Sequence, residues 1–364
     1  MPKKETLEIQ NFIKNLGTKM GFETALEERI HENDIYAPIY DAVWYLDLTK
    51  YFNFDSISYL FEYDLKWLNR CKRIPFAGFE IEGDGTTSKY ELSNFSNLYS
   101  GDFLYSFVIV NNKGAINEED IYRRGFKIAK YFNFYAGNRN VFFMDKIHLE
   151  NSAAKITDWN NDITMEIKDN SKRNKFGGET VSAEIYKSIK KDLAESGFQI
   201  EQNYSTRISD IMFCIIQNVS VIDENSKFAL NMAYYKDPYS EKVSLVKNKR
   251  EAFYVPKLDV VLGFNAPKVF TDWLRLLANE LKKQVSAYPL PYGIKYRIIE
   301  DLFVPLIAIE MESKLGKHLN GGIFNMSKNA YVGILITRKN ASVHIDFYKR
   351  EFGLKNILSY CTEG

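Results

Sequence analysis

Alternating and helical patterns of hydrophobic residues predict a chain in which helices and strands follow one another. Near the amino-terminal end, apolar residues recur every three or four positions, which predicts a helix over residues 5–20 that stops at Gly21. Runs of aromatic and β-branched residues bounded by turn residues predict strands. We expect strands at residues 40–48, 74–82, 103–110, 140–146 and 332–336, helices at residues 118–134, 182–196 and 273–285, and a helix or a strand and helix at residues 346–358. This order is typical of the α/β class.

The strand at residues 74–82, with the sequence IPFAGFEIE, carries two acids one residue apart. Because strand side chains alternate between two faces, Glu80 and Glu82 share one face, while Phe79 and Ile81 lie on the other. The repulsion between neighbouring carboxylates has to be offset, either by water at an exposed edge or by a divalent cation in a cleft. A solvated strand face is the ordinary interpretation of an isolated Glu-x-Glu.

The same stretch occurs again at residues 304–312, with the sequence VPLIAIEME, and in both copies a proline lies five residues before the first Glu. Upstream, an apolar run that contains a single Asp recurs around Asp41 and Asp259. Further matching pairs are Glu8 with Glu184, Gly21 with Gly197, Lys89 with Lys317, and Asn97 with Asn325. Four segments that recur in the same order predict a tandem duplication.

The duplication predicts two tandem domains, each a central mixed sheet flanked by helices. We place the first at residues 1–150 and the second at residues 179–364, with a connector at residues 151–178. The boundary is drawn at the polar, basic and glycine-ended stretch of residues 170–178.

The two copies differ in length before their Asp. The interval from Gly197 to Asp259 is 62 residues, whereas the interval from Gly21 to Asp41 is 20 residues. We therefore predict an insertion around residues 205–250, which serves either as a specificity element or as a packing flap.

Composition and charge limit the classes of partner. The chain has 364 residues, of which 45% are hydrophobic, enough for sizeable cores. Its 48 basic and 47 acidic residues give a formal charge of +1, so bulk attraction to nucleic acid or membrane is absent and only a local basic cleft stays open. The three cysteines are far apart and indicate neither a disulfide framework nor a zinc site. Without a signal core or a long apolar run, we expect a soluble, cytoplasmic protein with no membrane partner.

An Asp on one strand, a Glu-x-Glu on the next and a Lys beyond them suit metal-dependent hydrolysis of phosphodiesters. The Asp and the first Glu hold Mg²⁺, and the second Glu or the Lys positions and deprotonates a water molecule. The metal ligands predicted on this basis are Asp41, Glu80, Asp259 and Glu310. The predicted catalytic residues are these four together with Glu82, Lys89, Glu312 and Lys317.

This arrangement resembles the PD-(D/E)XK nuclease superfamily, the core of most type II restriction endonucleases, in the variant where Glu replaces the motif lysine. The resemblance implies two restriction-endonuclease-like domains. Asp41, Glu80 and Glu82 match the first acid, the second acid and the lysine position in the first copy, and Asp259, Glu310 and Glu312 match them in the second. Lys89 and Lys317 resemble a lysine displaced downstream, and Glu8 and Glu184 resemble the additional helix acid of some members.

The resemblance implies a Mg²⁺-dependent, sequence-specific endonuclease acting on double-stranded DNA, with Mn²⁺ as a substitute and two sites in one chain. A monomer then suffices, and a homodimer stays open. The alternatives are a defence or repair nuclease of looser specificity and a non-catalytic nucleic-acid-binding protein on a nuclease fold. Two basic segments, residues 172–175 and 247–250, are predicted to contact phosphates.

Overall fold

The structure, a computed structural model, describes fifteen parts of the chain. They are residues 4–30, 37–62, 64–82, 88–111, 124–125, 128–129, 140–169, 191, 199–201, 222–223, 258–287, 294–295, 303–312, 317–337 and 339–361. The basic segments at residues 172–175 and 247–250 lie outside these residues, as do most of the predicted insertion and most of the helices predicted at residues 118–134 and 182–196.

The first half forms a five-stranded mixed sheet in the order β1-β2-β3-β4-β5. β2 runs antiparallel to both β1 and β3, and β3, β4 and β5 run parallel to one another. The elements are α1 (Lys4–Lys19), β1 (Glu23–Glu28), β2 (Tyr40–Asp47), two 3₁₀ helices (Leu48–Lys50 and Phe54–Phe61), α2 (Leu65–Lys72), β3 (Arg73–Glu82), α3 (Ser88–Ser100), β4 (Tyr105–Val110), β5 (Asn140–Asp145) and α4 (Lys146–Ala153).

The second half forms a six-stranded mixed sheet in the order β13-β12-β11-β9-β6-β7, and β8 pairs with β10 in a separate ribbon. The elements are β6 (Thr164–Asp169), β7 (Gln199–Glu201), β8 (Ile222–Asp223), β9 (Val260–Asn265), α5 (Lys268–Ala287), β10 (Ile294–Lys295), β11 (Phe303–Glu312), α6 (Lys317–Asn329), β12 (Val332–Thr337), α7 (Ser342–Phe352) and β13 (Ile357–Cys361). The protein is therefore of the α/β class, with two mixed sheets flanked by helices.

The central strands of the two sheets are paired in the same way. β2 runs antiparallel to β3 and β9 runs antiparallel to β11, and each pair contains one irregularity just after the proline. Phe76 in β3 and Leu306 in β11 are the residues left without a partner, each directly following its proline. Proline cannot donate to the ladder, so a bulge is the place where a central strand tolerates it. The repeat seen in the sequence thus extends to register.

The connection after each Glu-x-Glu strand is also repeated. β3 is joined to the parallel strand β4 through α3, and β11 is joined to the parallel strand β12 through α6, two helices of 13 residues each. A helix between parallel neighbours is the ordinary crossover of α/β folds. The predicted helix at residues 5–20, the strands at residues 40–48, 74–82, 103–110, 140–146 and 332–336 and the helix at residues 273–285 are confirmed, and the carboxyl-terminal pair is a helix followed by a strand.

The connector predicted at residues 151–178 contains a strand of the second sheet. β6 pairs with β9 on one side and with β7 on the other, so it has the place next to β9 that β1 has next to β2. Met165 and Ile167 are buried on alternate positions of β6. This alternation predicts a strand, but the polar stretch at residues 170–178 led us to assign the whole segment to the connector.

Helix α1 packs on the first sheet through Ile9, Ile13 and Leu16, as its apolar stripe predicts. Trp44 of β2 donates its indole N–H to the carbonyl oxygen of Ile13 at 3.1 Å. The ring reaches the helix because Gly17 has no side chain, since a Cβ at this position would lie 2.4 Å from the indole nitrogen.

Each half also packs a helical segment against the sheet of the other half. Phe270 and Trp273 of α5 contact aromatic rings of the first sheet, among them Trp44 at 6.4 and 5.6 Å between ring centroids. The segment between β2 and β3 in turn contacts the second half. The ring centroids of Tyr59 and Tyr360 are 6.0 Å apart, and those of Trp67 and Tyr331 are 5.9 Å apart. Both segments lie between equivalent strands.

This exchange unites the two sheets in a single hydrophobic core. Trp273 also donates its indole N–H to the hydroxyl of Ser152 in α4, at 3.0 Å. The buried carboxylate of Glu280 in α5 pairs with Lys155, directly after α4. The relative position of the two sheets is therefore set by buried aromatic and polar contacts.

Candidate functional site

The first candidate site lies where β2 and β3 run side by side. Ala42 faces Phe79 in the ladder, so Asp41 lies beside Glu80. The carboxylate of Asp41 accepts the backbone N–H of Ile81 at 2.6 Å. Glu80 and Glu82 are 5% and 4% exposed. The strand alternation thus places two carboxylates on one face and brings the Asp of the neighbouring strand against them.

The second half repeats this geometry with its own residues. Val260 faces Ile309, which places Asp259 beside Glu310. The carboxylate of Asp259 accepts the backbone N–H of Met311 at 3.2 Å, and the backbone N–H of Asp259 donates to Glu310 at 3.1 Å. In both halves, therefore, the Asp carboxylate is held by the N–H of the residue that follows the first Glu.

Burial and like charge raise the pKa of these acids. Burial is the largest cause for Glu80, followed by the neighbouring carboxylate of Asp41, and together they raise the pKa of Glu80 to about 9. Burial raises the pKa of Asp41 as well, with the carboxylate of Glu27 adding to it. The pKa of Glu310 is raised for the same two reasons, burial and then the charge of Asp259. In the metal-free protein the Asp41–Glu80 pair accordingly retains a proton at neutral pH.

The interpretation of Glu-x-Glu as a solvated strand face is wrong for the first copy and for Glu310. Glu80, Glu82 and Glu310 are buried, and so is Asp259. Burying a carboxylate beside another one opposes folding, because each loses its hydration and repels its neighbour. Two such pairs at equivalent positions are therefore features that stability alone does not explain.

Helix α3 supplies polar partners that the sequence did not single out. The side-chain amide of Asn94 donates to Glu82 at 2.6 Å. Asn97, which was noted only as a repeated residue, has its amide nitrogen 3.5 Å from Glu80. Residues three apart share a helix face, so the spacing of these two asparagines was the available signal.

Two further residues, Gln10 and Glu27, also approach Asp41. The side-chain amide of Gln10 lies 3.2 Å from Asp41 and 2.5 Å from Glu27. Glu27 lies beside Asp41 in the ladder and has φ = 51°, a left-handed conformation that is strained for a residue with a side chain. Glu8, the expected additional helix acid, is exposed, because it lies two positions from the buried Gln10 and therefore on another face of α1.

The predicted lysines are placed at the level of the backbone. Lys89 is the second residue of α3 and Lys317 is the first residue of α6, so both lie in the first turn of the helix that follows a Glu-x-Glu strand. Their side chains lie outside the described parts of the structure, as does Glu184. Their catalytic role stays a prediction.

The donor set at each pair is compatible with a hard divalent cation. Within the part of the chain that the structure describes, no group of three or more His, Cys, Asp or Glu side chains is arranged to hold a metal ion. Mg²⁺ is commonly bound by one or two carboxylates, with water and substrate phosphate completing its shell. The pairs Asp41–Glu80 and Asp259–Glu310 provide two carboxylates each, and a cation there would offset the loss of hydration and the repulsion that raise the pKa of Glu80 and Glu310.

Among the described residues, no helix combines the length and the hydrophobicity needed to cross a bilayer.

Comparison with known proteins adds no relative from which a function could be transferred. No protein-family model matches the chain, and neither a curated protein nor a solved structure matches it.

Proposed function

We propose that this protein is a Mg²⁺-dependent endodeoxyribonuclease related to the PD-(D/E)XK superfamily, with two active sites in one chain. The observation that carries the proposal is the duplicated Asp–Glu pair. In each half, the Asp carboxylate, half-buried for Asp41 and buried for Asp259, accepts the backbone N–H of the residue that follows the first Glu of a Glu-x-Glu strand. A duplication that keeps buried, mutually repelling carboxylates in the same register favours a shared chemical role over a packing role.

Asp41 and Glu80 would hold the cation in the first site, and Asp259 and Glu310 would hold it in the second. A bound Mg²⁺ supplies charge neutralisation for the phosphodiester group and lowers the pKa of water. Mn²⁺ offers the same hard-ligand chemistry and serves as its substitute.

The second Glu of each strand has the position of a base. Glu82 and Glu312 share the face of Glu80 and Glu310, since residues two apart on a strand point the same way. The water oxygen forms a bond to phosphorus while the bond from phosphorus to the leaving sugar oxygen breaks. The proton of the water passes to the carboxylate, and the leaving oxygen takes up a proton from solvent. Lys89 and Lys317, each in the first turn of the next helix, are the second candidates for orienting this water.

Double-stranded DNA is the substrate that two sites in one chain fit best. Single-site nucleases pair two subunits so that each site faces one strand. Here the two halves pack helical segments on each other's sheets, so that both sheets share one hydrophobic core. A monomer would then cut both strands. The near-balanced charge, +1 overall, favours recognition through shape and base edges over bulk attraction and hence a restriction-type specificity.

Strand-specific cleavage of a labelled duplex tests this proposal. Run-off sequencing of a digested plasmid first identifies the site, and discrete ends indicate restriction whereas a smear indicates a looser nuclease. On that duplex, Glu82→Gln and Glu312→Gln should each leave an enzyme that nicks, with opposite strands cut by the two variants. Glu8→Gln, which removes an exposed acid from α1, should cut both strands like the wild type.

Three results would contradict the proposal in different ways. Absence of cleavage by the wild type in both Mg²⁺ and Mn²⁺ would favour the non-catalytic DNA-binding alternative. Loss of all cleavage in one variant with full double-strand cutting in the other would assign catalysis to one half alone. Cleavage that continues in EDTA would exclude a metal-dependent mechanism.

A further inference from the structure

Asn97 and Asn325 are repeated residues to which the proposed chemistry gives no role. Asn97 belongs to α3 and Asn325 belongs to α6, the two helices that follow the Glu-x-Glu strands. Both asparagines are half-buried, and in each helix a buried residue lies two positions before the asparagine and another lies one position after it. These buried residues are Phe95, Leu98, Ile323 and Met326. The two asparagines therefore have the same place on equivalent helices.

The first half shows what Asn97 contacts. Its side-chain amide nitrogen lies 3.5 Å from the carboxylate of Glu80. Its backbone carbonyl oxygen accepts the hydroxyl of Tyr40 at 3.2 Å, and Tyr40 is fully buried directly before Asp41 in β2. This turn of α3 is thus held to the strand that carries the Asp, while its side chain reaches the Glu of the next strand.

Helix α6 passes over the corresponding Glu of the second half. A Cβ built on Gly322, three residues before Asn325, would lie 3.9 Å from the Cβ and Cγ atoms of Glu310. Residues three apart lie on the same face of a helix, so Asn325 shares the face that meets Glu310. The duplication has therefore kept an amide on the helix face above the first Glu in both halves.

An amide is a donor that does not compete with a cation. A lysine at this place would bring a positive charge to the carboxylates, whereas asparagine donates N–H groups and leaves their negative charge available to a metal ion. Two further donors on the Asp41–Glu80 pair, the backbone N–H of Ile81 and the amide of Gln10, are neutral as well. The contact of Asn97 is long in the metal-free protein. Hydrogen bonds at functional sites are often long before the ligand binds, and those to an ionised acceptor are shorter.

We propose that Asn97 and Asn325 are positioning residues for Glu80 and Glu310, each holding the carboxylate of its Glu in the orientation that binds the cation. The inference rests on the proposed nuclease function and deepens it, since these two acids are the proposed metal ligands. A carboxylate that is already oriented loses less conformational freedom when it binds. Hydrogen-bond partners of metal ligands commonly contribute about 10- to 100-fold to metal affinity, so each asparagine should set the affinity of its own site.

Calorimetric titration with Mn²⁺ tests the inference independently of cleavage. The wild type should bind at two sites. Asn97→Leu, which keeps a similar size but removes the amide, should weaken one site by about 10- to 100-fold and leave the other unchanged. Asn325→Leu should weaken the other site alone, and the double variant should weaken both. Asn320→Leu, the same substitution at an exposed position of α6, is the matched control and should titrate like the wild type.

The Mg²⁺ dependence of cleavage assigns each asparagine to a DNA strand. Asn97→Leu should raise the Mg²⁺ concentration required for half-maximal cutting of the strand that Glu82→Gln leaves intact. Asn325→Leu should do so for the strand that Glu312→Gln leaves intact. In both variants saturating Mg²⁺ should restore most of the rate, because the loss lies in metal binding, whereas a packing defect would persist at any Mg²⁺ concentration.

The outcomes separate this inference from the proposed function. Wild-type affinity at both sites in Asn97→Leu or in Asn325→Leu would overturn the inference and leave the nuclease proposal standing. Equal weakening of both sites by one substitution, or a loss of rate that saturating Mg²⁺ does not restore, would also overturn it. A wild-type protein that binds Mn²⁺ and cuts neither strand would overturn the nuclease proposal, and the titration would still decide the role of the asparagines.

Discussion

Replacing Glu80 by glutamine removes the most strongly perturbed acid of the first site while keeping its shape. The pKa of Glu80 is raised from 4.5 to about 9 by burial and by the charge of Asp41. Between these two pH values the folded protein retains a proton that the unfolded chain has released. The folded state therefore loses stability as pH rises through this window, and the loss levels off above pH 9.

The magnitude follows from the distance between the working pH and the ordinary pKa. At pH 7, which is 2.5 units above the ordinary pKa of 4.5, the Glu80 carboxyl is ionised in the unfolded chain and protonated in the folded protein. This difference lowers the free energy of unfolding by about 3 kcal/mol relative to its value at low pH. Relaxation of the pair and entry of water reduce this value, so we take it as an upper bound. Glu80→Gln carries no titrating group, and the free energy of unfolding of this variant should exceed that of the wild type increasingly between pH 5 and pH 8.

Urea unfolding followed by tryptophan fluorescence in EDTA, at pH values from 5 to 8, measures this difference. Glu8→Gln is the matched control, since it removes an exposed acid and should keep the wild-type slope. Mg²⁺ should flatten the slope of the wild type by favouring the ionised pair, and it should act less on Glu80→Gln. A wild-type unfolding free energy that is independent of pH, or a variant with the wild-type slope, would refute the buried, proton-retaining pair.

Three further predictions concern the metal and the packing around the first site. Calorimetric titration of the wild type with Mn²⁺ should show binding to two sites, and the absence of heat would contradict both metal sites. Gln10→Ala removes the amide that contacts Asp41, so it should slow cleavage of the DNA strand that Glu82→Gln leaves intact by about 10-fold or more. An equal loss of rate on both strands would contradict this prediction. Gly17→Ala should lower the free energy of unfolding measured in urea by about 1–3 kcal/mol, because its Cβ would collide with Trp44. The control Gly321→Ala, whose Cβ would meet nothing within 4 Å, should be neutral or stabilising by up to about 1 kcal/mol.

The alternation of strand residues determined the core of the candidate site from the sequence. Because strand side chains have a period of two, the sequence alone placed Glu80 and Glu82 on one face. The recurrence of an apolar run with one Asp before each Glu-x-Glu strand singled out Asp41 and Asp259, and the ladders place each Asp beside the first Glu. The sequence left the segment after the Glu-x-Glu strand open between a helix and a loop, and the structure shows the crossover helix α3, which begins at Ser88.

The polar residues around these acids were decided by tertiary packing. Which face of a helix meets a sheet depends on how the helix crosses it, and charge alone does not reveal this. Glu8 therefore had the more suggestive chemistry, yet Gln10 is the residue that reaches Asp41. The same holds for Asn94, whose role depends on the path of α3 over β3.

The way in which the two halves join was also decided only in three dimensions. The repeat predicted two sequential units, but α5 of the second half packs Phe270 and Trp273 on the first sheet, and Trp67 of the first half contacts Tyr331 of the second. An amphipathic pattern states that a helix buries one face and does not state against which sheet, because any apolar surface of matching shape satisfies it equally. Sequence periodicity thus determined the elements and their acids, and the choice among competing apolar surfaces determined the assembly.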